Sequence, residues 1–573
     1  IENLNAALYL KITLPLGFSI QTTYSPRFEW TNYLFHKAAA SPDSGSQNGR
    51  VERTHTKDFY WQWDNMLKWN KTFGKHAFDF TFLANWEKFQ RWHDEMTNEN
   101  FLPTDELGYG GIGFGTSPNV SSDDVYRTGD AFMGRLHYVY DQRYLITATV
   151  RRDGYSAFGL ANPRATFPAI ALGWVFSEEK FLHRPDWFEY GKLRLSWGKN
   201  GNRAVGTYAA FMQLAPRKYI YVDPATGSLV TANTFYASTM ANPNLKWEST
   251  TSWNIGTDLT FLKGRLSANL DVYKKITTDL LVSRELPSLI GYSSVMSNIG
   301  EVQNTGVELS LNSTNIRMDK LTWRTSFSLA YNKNKITHLY GIMEDVKDAD
   351  GNVIGQREAD DIKNKRFIGH DIDEIWDYKV VGIWQEEERE EAAKYGQQPG
   401  DVHLLDKDMN YKYDNTDKEF QGTTMPRLRW SMRNDFTLFK NFNISFNMYS
   451  YIGHKKTLGR FTNDNALLNV TNQIKRDYWT PENRNNEYPR LANKKPAGVS
   501  YAIYKNASFL RFDNISIGYT FPKKLIEPLR IQNLNVNATM KNAGYISGWP
   551  GYDPENSDAN TPRVIYFGIN LTL

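Results

Sequence analysis

An acidic loop in the second half of the chain carries the residues best suited to binding a metal ion. Oxygen-bearing side chains occupy positions 1, 3, 5, 9 and 12 of a twelve-residue stretch, at Asp406, Asp408, Asn410, Asp414 and Asp417. A Ca²⁺ loop gathers hard oxygen ligands with this spacing. Two residues depart from that pattern, because Tyr411 replaces the usual glycine and Asp417 replaces the bidentate glutamate. The spacing predicts a Ca²⁺ site, with a solvated polar loop as the alternative.

Four aromatic residues lie in predicted loops away from the ends of strands, at Trp376, Tyr378, Trp549 and Tyr552. An aromatic ring presents a flat apolar face together with a polar edge, and both features suit a ligand or a covering subunit. These four residues are therefore predicted to bind substrate or a lid. The alternative is that they pack the loops against one another.

Nothing in the chain indicates enzyme chemistry. There is no nucleophile elbow, phosphate-binding loop or histidine-based metal motif, and no pair of carboxylates is singled out as acid and base. The absence of cysteine excludes disulfides and thiolate metal sites. A formal charge of +4 without a basic cluster argues against a nucleic-acid partner. We predict that the chain is not an enzyme and requires no cofactor beyond Ca²⁺ in the acidic loop.

The last eleven residues, RVIYFGINLTL, show what kind of element organises the chain. Apolar side chains alternate with small or polar ones, and the apolar set is Ile565, Phe567, Ile569, Leu571 and Leu573. A period of two indicates a strand with one apolar and one polar face. In an outer-membrane barrel such a strand turns its apolar side to lipid and its polar side to the lumen.

About seventeen segments of this kind recur along the chain, each about ten residues or more, which is the length that a tilted membrane strand needs. No stretch approaches the ~18 apolar residues of a membrane helix. Short and long connections alternate, as in barrels with tight periplasmic turns and long outer loops. The long extracellular loops are predicted at about 31–56, 93–125, 201–246, 340–427, 452–507 and 543–562.

An open sheet of seventeen strands would expose unpaired backbone groups to hydrocarbon, at a cost of several kcal/mol for each group. We therefore expect further strands before Leu4, about five, to complete the 22 strands of plugged outer-membrane transporters. On this basis we predict that residues 1–573 are the C-terminal portion of a transmembrane antiparallel β-barrel whose first strands are missing from the chain.

Several longer motifs carry a family resemblance. They include Tyr144–Gly159 (YLITATVRRDGYSAFG), Lys192–Asn202 (KLRLSWGKNGN), Asn298–Asn312 (NIGEVQNTGVELSLN) and Ala507–Pro522 (ASFLRFDNISIGYTFP). In their order and spacing these segments resemble the SusC-type TonB-dependent outer-membrane transporters, also called the SusC/RagA type. The resemblance implies a 22-stranded barrel with an N-terminal plug, and we expect that plug to be missing from this chain. It also implies a SusD-like surface lipoprotein as partner and energy delivered through TonB.

The resemblance and the strand pattern together predict import of a bulky nutrient across the outer membrane of a Gram-negative bacterium. An oligosaccharide is the first candidate cargo and a peptide is the alternative by the same mechanism. A soluble β-rich glycan-binding protein or hydrolase is the alternative of another class. The identity of the cargo, the state of the lid, and a dimer of transporter–lipoprotein pairs are left open by the sequence.

Overall fold

The computed structural model describes residues 1–41, 47–101, 107–292, 294–348, 350–457, 477–491, 493–556 and 559–573. Contacts divide the chain into two units. Unit 1 contains Ile1–Val175, Arg194–Trp253 and Lys275–Glu301, and unit 2 contains Phe176–Leu193, Asn254–Lys274 and Val302–Leu573.

Strands dominate the described residues. The first group is β1 (Glu2–Asn5), β2 (Leu8–Thr13), β3 (Phe18–Lys37), β4 (Arg50–Phe73), β5 (His76–Glu99), β6 (Asn119–Tyr140), β7 (Tyr144–Tyr155) and β8 (Arg164–Trp174). It is followed by β9 (Phe188–Asn202), β10 (Gln213–Val222), β11 (Leu229–Thr239), β12 (Glu248–Phe261), β13 (Leu266–Thr278), β14 (Leu281–Glu285) and β15 (Ser294–Asn298).

The second half of the chain begins with β16 (Glu301–Arg317), β17 (Leu321–His338), β18 (Met343–Lys347), β19 (Val353–Glu358), β20 (Glu374–Tyr378), β21 (Val380–Ile383), β22 (Val402–Leu404) and β23 (Lys418–Thr423). It ends with β24 (Leu428–Leu438), β25 (Phe442–Ile452), β26 (Lys455–Thr457), β27 (Tyr504–Asn506), β28 (Phe509–Thr520), β29 (Asn533–Ser547) and β30 (Val564–Thr572). Within the described ranges, helix is confined to α1 (Arg389–Lys394), α2 (Lys523–Ile526) and short 3-10 segments at Pro15–Gly17, Gly108–Phe114, Phe176–Glu178, Ser288–Ile290, Glu386–Glu388, Asn415–Asp417 and Glu527–Leu529.

Within unit 1, β1 and β2 both pair with β3, and each strand from β3 to β8 pairs antiparallel with the next. Within unit 2, the strands β17, β24, β25, β28, β29 and β30 pair antiparallel in that order. Tight turns join neighbours, as between β6 and β7, where Asp141 and Gln142 take φ values of 51° and 56°. Two consecutive left-handed residues match the twist of the flanking strands.

The two faces of the unit 2 sheet differ sharply in chemistry. One row of side chains across the six strands is apolar and consists of Phe567, Ala538, Ile517, Ile444, Phe436 and Trp323. The next row, on the opposite face, consists of Gly568, Asn537, Gly518, Asn443, Thr437 and Thr322. The apolar row is not covered by protein, since Phe567 is 82% exposed and Ile517 is 47% exposed. This is the alternation expected for a sheet with one face toward lipid.

Unit 1 repeats this arrangement. A row of mainly apolar residues crosses five of its strands at Trp69, Phe80, Leu136, Ala148 and Ile170. On the opposite face the register brings together Asp64, Asn85, Ala131 and Asp153. Both units therefore carry a continuous apolar face and a polar face.

The long connections contain more strand than the sequence predicted. The predicted loop 31–56 shrinks to residues 38–49, because β3 continues to Lys37 and β4 begins at Arg50. The predicted loop 93–125 likewise loses both ends to β5 and β6. β4 has 24 residues, about twice what a tilted strand needs to cross a bilayer. The first seven residues of β4, RVERTHT, are nearly all polar, so they lack the alternation that marks a strand in the sequence.

Part of the predicted loop 452–507 lies outside the described residues, as do short pieces of the predicted loops 31–56, 93–125, 340–427 and 543–562.

Candidate functional site

The acidic loop, residues 406–417, connects β22 to β23 in unit 2. Carboxylate oxygens of Asp406, Asp408 and Asp417 all lie within 4.8 Å of one another. The structure thus brings together three of the five predicted ligands, and their hard oxygen atoms are the donors that Ca²⁺ prefers.

Backbone amides hold the first of these carboxylates in place. The amides of Met409 and Tyr411 each donate to Asp406 at 2.9 Å, and the hydroxyl of Tyr395 donates to it at 3.0 Å. The loop bends tightly here, with φ of 57° at Met409 and 64° at Tyr411. Tyr411 therefore adopts the left-handed conformation that the usual glycine of a Ca²⁺ loop provides, and the bend survives the substitution.

Asp417 is fully buried and is fixed at the other end of the loop. Its two oxygens accept from the amides of Lys407 and Asp414, each at 2.9 Å. The other two predicted ligands have local roles, since Asp414 accepts from the Thr416 amide at 2.7 Å and Asn410 accepts from the Lys412 amide at 2.7 Å. The carboxylate of Asp414 lies outside the three-carboxylate group found among the described residues.

The pKa values of the two neighbouring aspartates move in opposite directions. Burial alone raises the pKa of Asp406, but hydrogen bonds from Tyr395 and from the Tyr411 amide outweigh it and lower the pKa below its ordinary value. Desolvation and the adjacent Asp406 carboxylate raise the pKa of Asp408. Carboxylates placed this close favour a proton or a cation between them. The donor set therefore fits a divalent cation.

Three of the four predicted loop aromatics are buried. Tyr378 and Trp549 belong to a cluster that we call the loop core, made of Tyr378, Ile383, Val402, Leu404, Trp479, Tyr501, Ile503, Ala507 and Trp549. Trp376 is also buried, with Phe367 at 4.9 Å between ring centroids and the Lys418 ammonium 4.7 Å from its ring. These three rings pack loops together, as the alternative held. Ligand contact stays a prediction, and of the four only Tyr552 is half-exposed.

A buried ion-pair network that the sequence did not reveal anchors the connection before the last strand. Arg511 on β28 pairs with Asp553 and, at 2.6 Å, with Glu555, and the side chains of Arg511 and Asp553 are 3% and 1% exposed. Asp553 also accepts from Thr561 at 2.6 Å. Burial raises the pKa of Asp553, but these hydrogen bonds and the guanidinium lower it overall. No local pattern marks Arg511, because Asp553 lies 42 residues further along the chain.

A cavity of about 700 Å³ lies against the polar face of unit 1. Its wall includes Asp64, Asn85, Arg151, Asp153, Lys199 and Trp247. A smaller cavity of about 380 Å³ shares Glu87 and Arg203 with it. Sequence reasoning did not single out these residues, although the alternation along β4, β5 and β7 assigns them to the polar face.

Among the described residues, no helix has the length and apolar character needed to cross a membrane.

A family model described as "TonB dependent receptor-like, beta-barrel" matches residues 2–543. The chain is 32% identical to the TonB-dependent receptor SusC of Bacteroides thetaiotaomicron over 467 residues, covering 77% of this chain and 43% of SusC. It is 28% identical to the TonB-dependent receptor P3 of Formosa agariphila over 562 residues, covering 96% of this chain and 53% of P3. The chain thus spans about half the length of the curated relatives it matches.

Solved structures with the same fold include the RagAB peptide importer in two states. The "open-open" state matches 100% of this chain and 61% of that chain, with a TM-score of 0.77 and 21% identity. The "closed-closed" state matches 99% and 62%, with a TM-score of 0.75 and 21% identity.

Proposed function

The chain belongs to the family of TonB-dependent receptor-like β-barrels, and on that basis we propose that it acts in TonB-dependent import of a bulky nutrient across the outer membrane. The observation that carries the proposal is the pair of faces on each sheet. Apolar rows remain exposed, as lipid contact requires, while the opposite rows are polar, as a route for a hydrated cargo requires.

Membership of this family confirms the predicted fold class and the predicted location, because its members are outer-membrane β-barrels. The SusC-type resemblance is also confirmed. The alternative of a soluble β-rich protein is wrong, because members of this family are outer-membrane β-barrels. The family consists of transporters and not enzymes, which fits the prediction that the chain has no catalytic residues.

The proposed partners of this chain are inferred from its relatives. We propose that a SusD-like surface lipoprotein covers the outer loops and that TonB supplies the energy for import. The plug and first strands expected before Leu4 remain a prediction. The long connections, including the loop core and the acidic loop, would face outward, where cargo arrives.

An oligosaccharide is the first candidate cargo, because the SusC-type resemblance implies it and SusC is 32% identical to this chain. A peptide is the second candidate, and the structural likeness to the RagAB peptide importer supports keeping it. Both cargoes use the same route, so the choice between them does not affect the proposed mechanism.

We also propose that Asp406, Asp408 and Asp417 hold Ca²⁺. A bound Ca²⁺ would offset the charge of two of the three neighbouring carboxylates and link the two ends of the acidic loop. The loop packs beside the loop core through Tyr413, whose ring lies 6.0 Å from that of Tyr378 between centroids. A cation here would therefore stiffen the outer loops.

Uptake in cells tests the import function. The gene is deleted in its host, and the uptake of labelled oligosaccharide and oligopeptide pools is measured with and without complementation. We expect one pool to enter only when the gene is present and TonB is functional. Uptake that is unchanged by deletion of the gene, or that persists without TonB, would contradict the proposal.

A further inference from the structure

The apolar face of the unit 1 sheet ends in a line of charged side chains. This face carries the row that runs from Trp69 on β4 to Ile170 on β8. On each of the five strands from β4 to β8, every second residue from that row toward the long connections shares the face, and a charged residue follows the apolar and aromatic ones. We call these first charged residues the charged rim, and they are Lys57, Lys88, Asp130, Arg152 and Arg164.

The register places the charged rim at one depth. The rim residue lies four residues nearer the short turns on β5 than on β4, two residues nearer on β6 than on β5, and two residues nearer on β7 than on β6. A line of constant depth makes such a progressive shift across strands tilted by about 35–45°. Long connections are extracellular in outer-membrane barrels, so the rim lies at the outer boundary between lipid and water.

Positive charge dominates the charged rim. Its one anion, Asp130, is held by both terminal nitrogens of Arg164, one of them at 2.9 Å. The next acidic residues on this face, Asp94 and Asp124, each lie six residues nearer the long connections than the rim residue of the same strand. Three cations are therefore left without a compensating charge at the depth of the rim.

These three cations are Lys57, Lys88 and Arg152, and the side chains of Lys57 and Arg152 are exposed. The ammonium groups lie over aromatic rings, Lys57 at 5.1 Å from the ring centroid of Trp92 and Lys88 at 4.9 Å from that of Tyr126. A ring positions a cation but does not neutralise it. A plug in the lumen would lie against the polar face of the sheet, so it would not cover these side chains.

The surroundings of the three cations identify the chemistry that would neutralise them. Phosphate groups accept charge-assisted hydrogen bonds from ammonium and guanidinium groups. Just below the rim, Phe82, Phe132 and Val150 are exposed on the same face, where acyl chains would pack. A phosphorylated lipid satisfies both conditions. Phospholipids occupy the inner leaflet of the outer membrane, at the short-turn end of these strands, whereas the outer leaflet is built of phosphorylated glycolipid.

We propose that the charged rim is a binding site for the phosphorylated glycolipid of the outer leaflet. Its phosphate groups bind Lys57, Lys88 and Arg152, and its acyl chains lie along the apolar face below them. The inference goes beyond the import function and needs only the outer-membrane location of the chain.

Binding of defined lipids to the complete transporter, stripped of lipid in detergent, tests the site by native mass spectrometry. The probes are bisphosphorylated lipid A, the same lipid without phosphates, phosphatidylglycerol and inorganic phosphate. We expect the triple variant Lys57→Gln, Lys88→Gln and Arg152→Gln to weaken binding of bisphosphorylated lipid A by about tenfold or more. The charge-conserving triple variant Lys57→Arg, Lys88→Arg and Arg152→Lys should keep it. Lys71→Gln is the matched control, because it removes a cation from the same face of β4 near the short turn.

The other probes show whether phosphate and acyl chains are both needed. Lipid A without phosphates should bind weakly and equally to all variants, and phosphatidylglycerol and inorganic phosphate should bind more weakly than bisphosphorylated lipid A. Equal binding of phosphorylated and dephosphorylated lipid A, or of lipid A and either other probe, overturns the inference. So do equal losses for the triple glutamine variant and Lys71→Gln, or a changed oligomeric state of the triple variant with lipid binding intact, since the rim then contacts protein.

A single substitution decides the matter if the triple glutamine variant does not fold. Lys88→Gln alone should weaken binding of bisphosphorylated lipid A about fivefold. Unchanged affinity in a folded Lys88→Gln variant overturns the inference.

Discussion

At the scale of single residues, the acidic loop has the tight bend of a Ca²⁺ loop without the glycine that usually provides it. Its sixth residue, Tyr411, takes a left-handed φ of 64° although it is not glycine. Its ring packs against Tyr395 at 5.6 Å between centroids, and the Lys394 ammonium lies 4.6 Å from it. These contacts offset the conformational cost, so the bend that gathers the carboxylates is retained.

Replacing Asp417 should show whether the acidic loop is a Ca²⁺ site or a solvated polar loop. Asp417→Asn removes one of the three converging carboxylates, and we expect it to weaken Ca²⁺ binding by about tenfold or more. Asp414→Asn is the matched control in the same loop, because that carboxylate lies outside the group. Calorimetric titration of Ca²⁺ measures both variants. Equal affinities for wild type and Asp417→Asn would refute the site.

The same site should lose Ca²⁺ on acidification. Asp408 has a raised pKa, so it takes up a proton at a higher pH than an ordinary aspartate and loses its charge first. Because Ca²⁺ requires the ionised carboxylate, affinity should fall as the pH drops through that raised pKa. Titrations at a series of pH values give the midpoint. An affinity that is independent of pH down to the ordinary aspartate range would show that Asp408 does not bind the ion.

The Arg511 network makes a prediction about stability. Arg511→Met leaves Asp553 buried without its cation, which should destabilise the protein by about 3 kcal/mol. Arg433→Met is the control, because the Arg433–Asp435 pair is exposed and should contribute about 1 kcal/mol or less. Thermal unfolding in detergent compares the two variants. A similar unfolding temperature for both would mean that the network does not anchor the connection before β30.

At the residue scale, the sequence predicted part of what the structure shows. It found the acidic loop, because the ligand spacing lies within twelve consecutive residues. It did not find Arg511, because its partner Asp553 lies 42 residues further along the chain. It identified Trp376, Tyr378 and Trp549 as loop residues, but their burial depends on segments that meet only in the folded protein, as in the loop core.

At the scale of secondary-structure elements, the final strand carries the clearest signal. Ile569 is 73% exposed on β30 and stands opposite Val536 of β29, within the apolar face, whereas Asn570 points to the other face. A period of two along this short strand was enough to assign both faces from sequence. The extra length of β4 and β5 was missed, because the added residues at those strand ends are mostly polar on both faces.

Placing a charge on each face of β30 tests this assignment. Ile569→Lys puts an ammonium on the predicted lipid side, which should cost about 2–4 kcal/mol near the middle of the bilayer. Asn570→Lys puts the same charge on the polar side and should be tolerated. The amount of folded protein in the outer-membrane fraction is measured for each variant. Equal accumulation of the two variants would contradict the assigned orientation.

At the scale of the whole molecule, both units carry one apolar face, which suits contact with lipid, and one polar face, which suits contact with water. The sequence predicted this organisation because alternation is local and repeats in every strand. It could not predict the cavity of unit 1, whose lining comes from strands far apart along the chain, such as β4 and β9.

Solvent and lipid accessibility along β29 shows whether the unit 2 sheet spans a membrane. The chain contains no cysteine, so single cysteines can be placed in turn at Val536, Asn537, Ala538 and Thr539 and spin-labelled in lipid vesicles. Labels at Val536 and Ala538 should be accessible to oxygen dissolved in lipid, and labels at Asn537 and Thr539 to a water-soluble nickel complex. Alternation from one residue to the next is the predicted result. Uniform access to the water-soluble complex at all four positions would contradict a membrane-spanning sheet and the import function built on it.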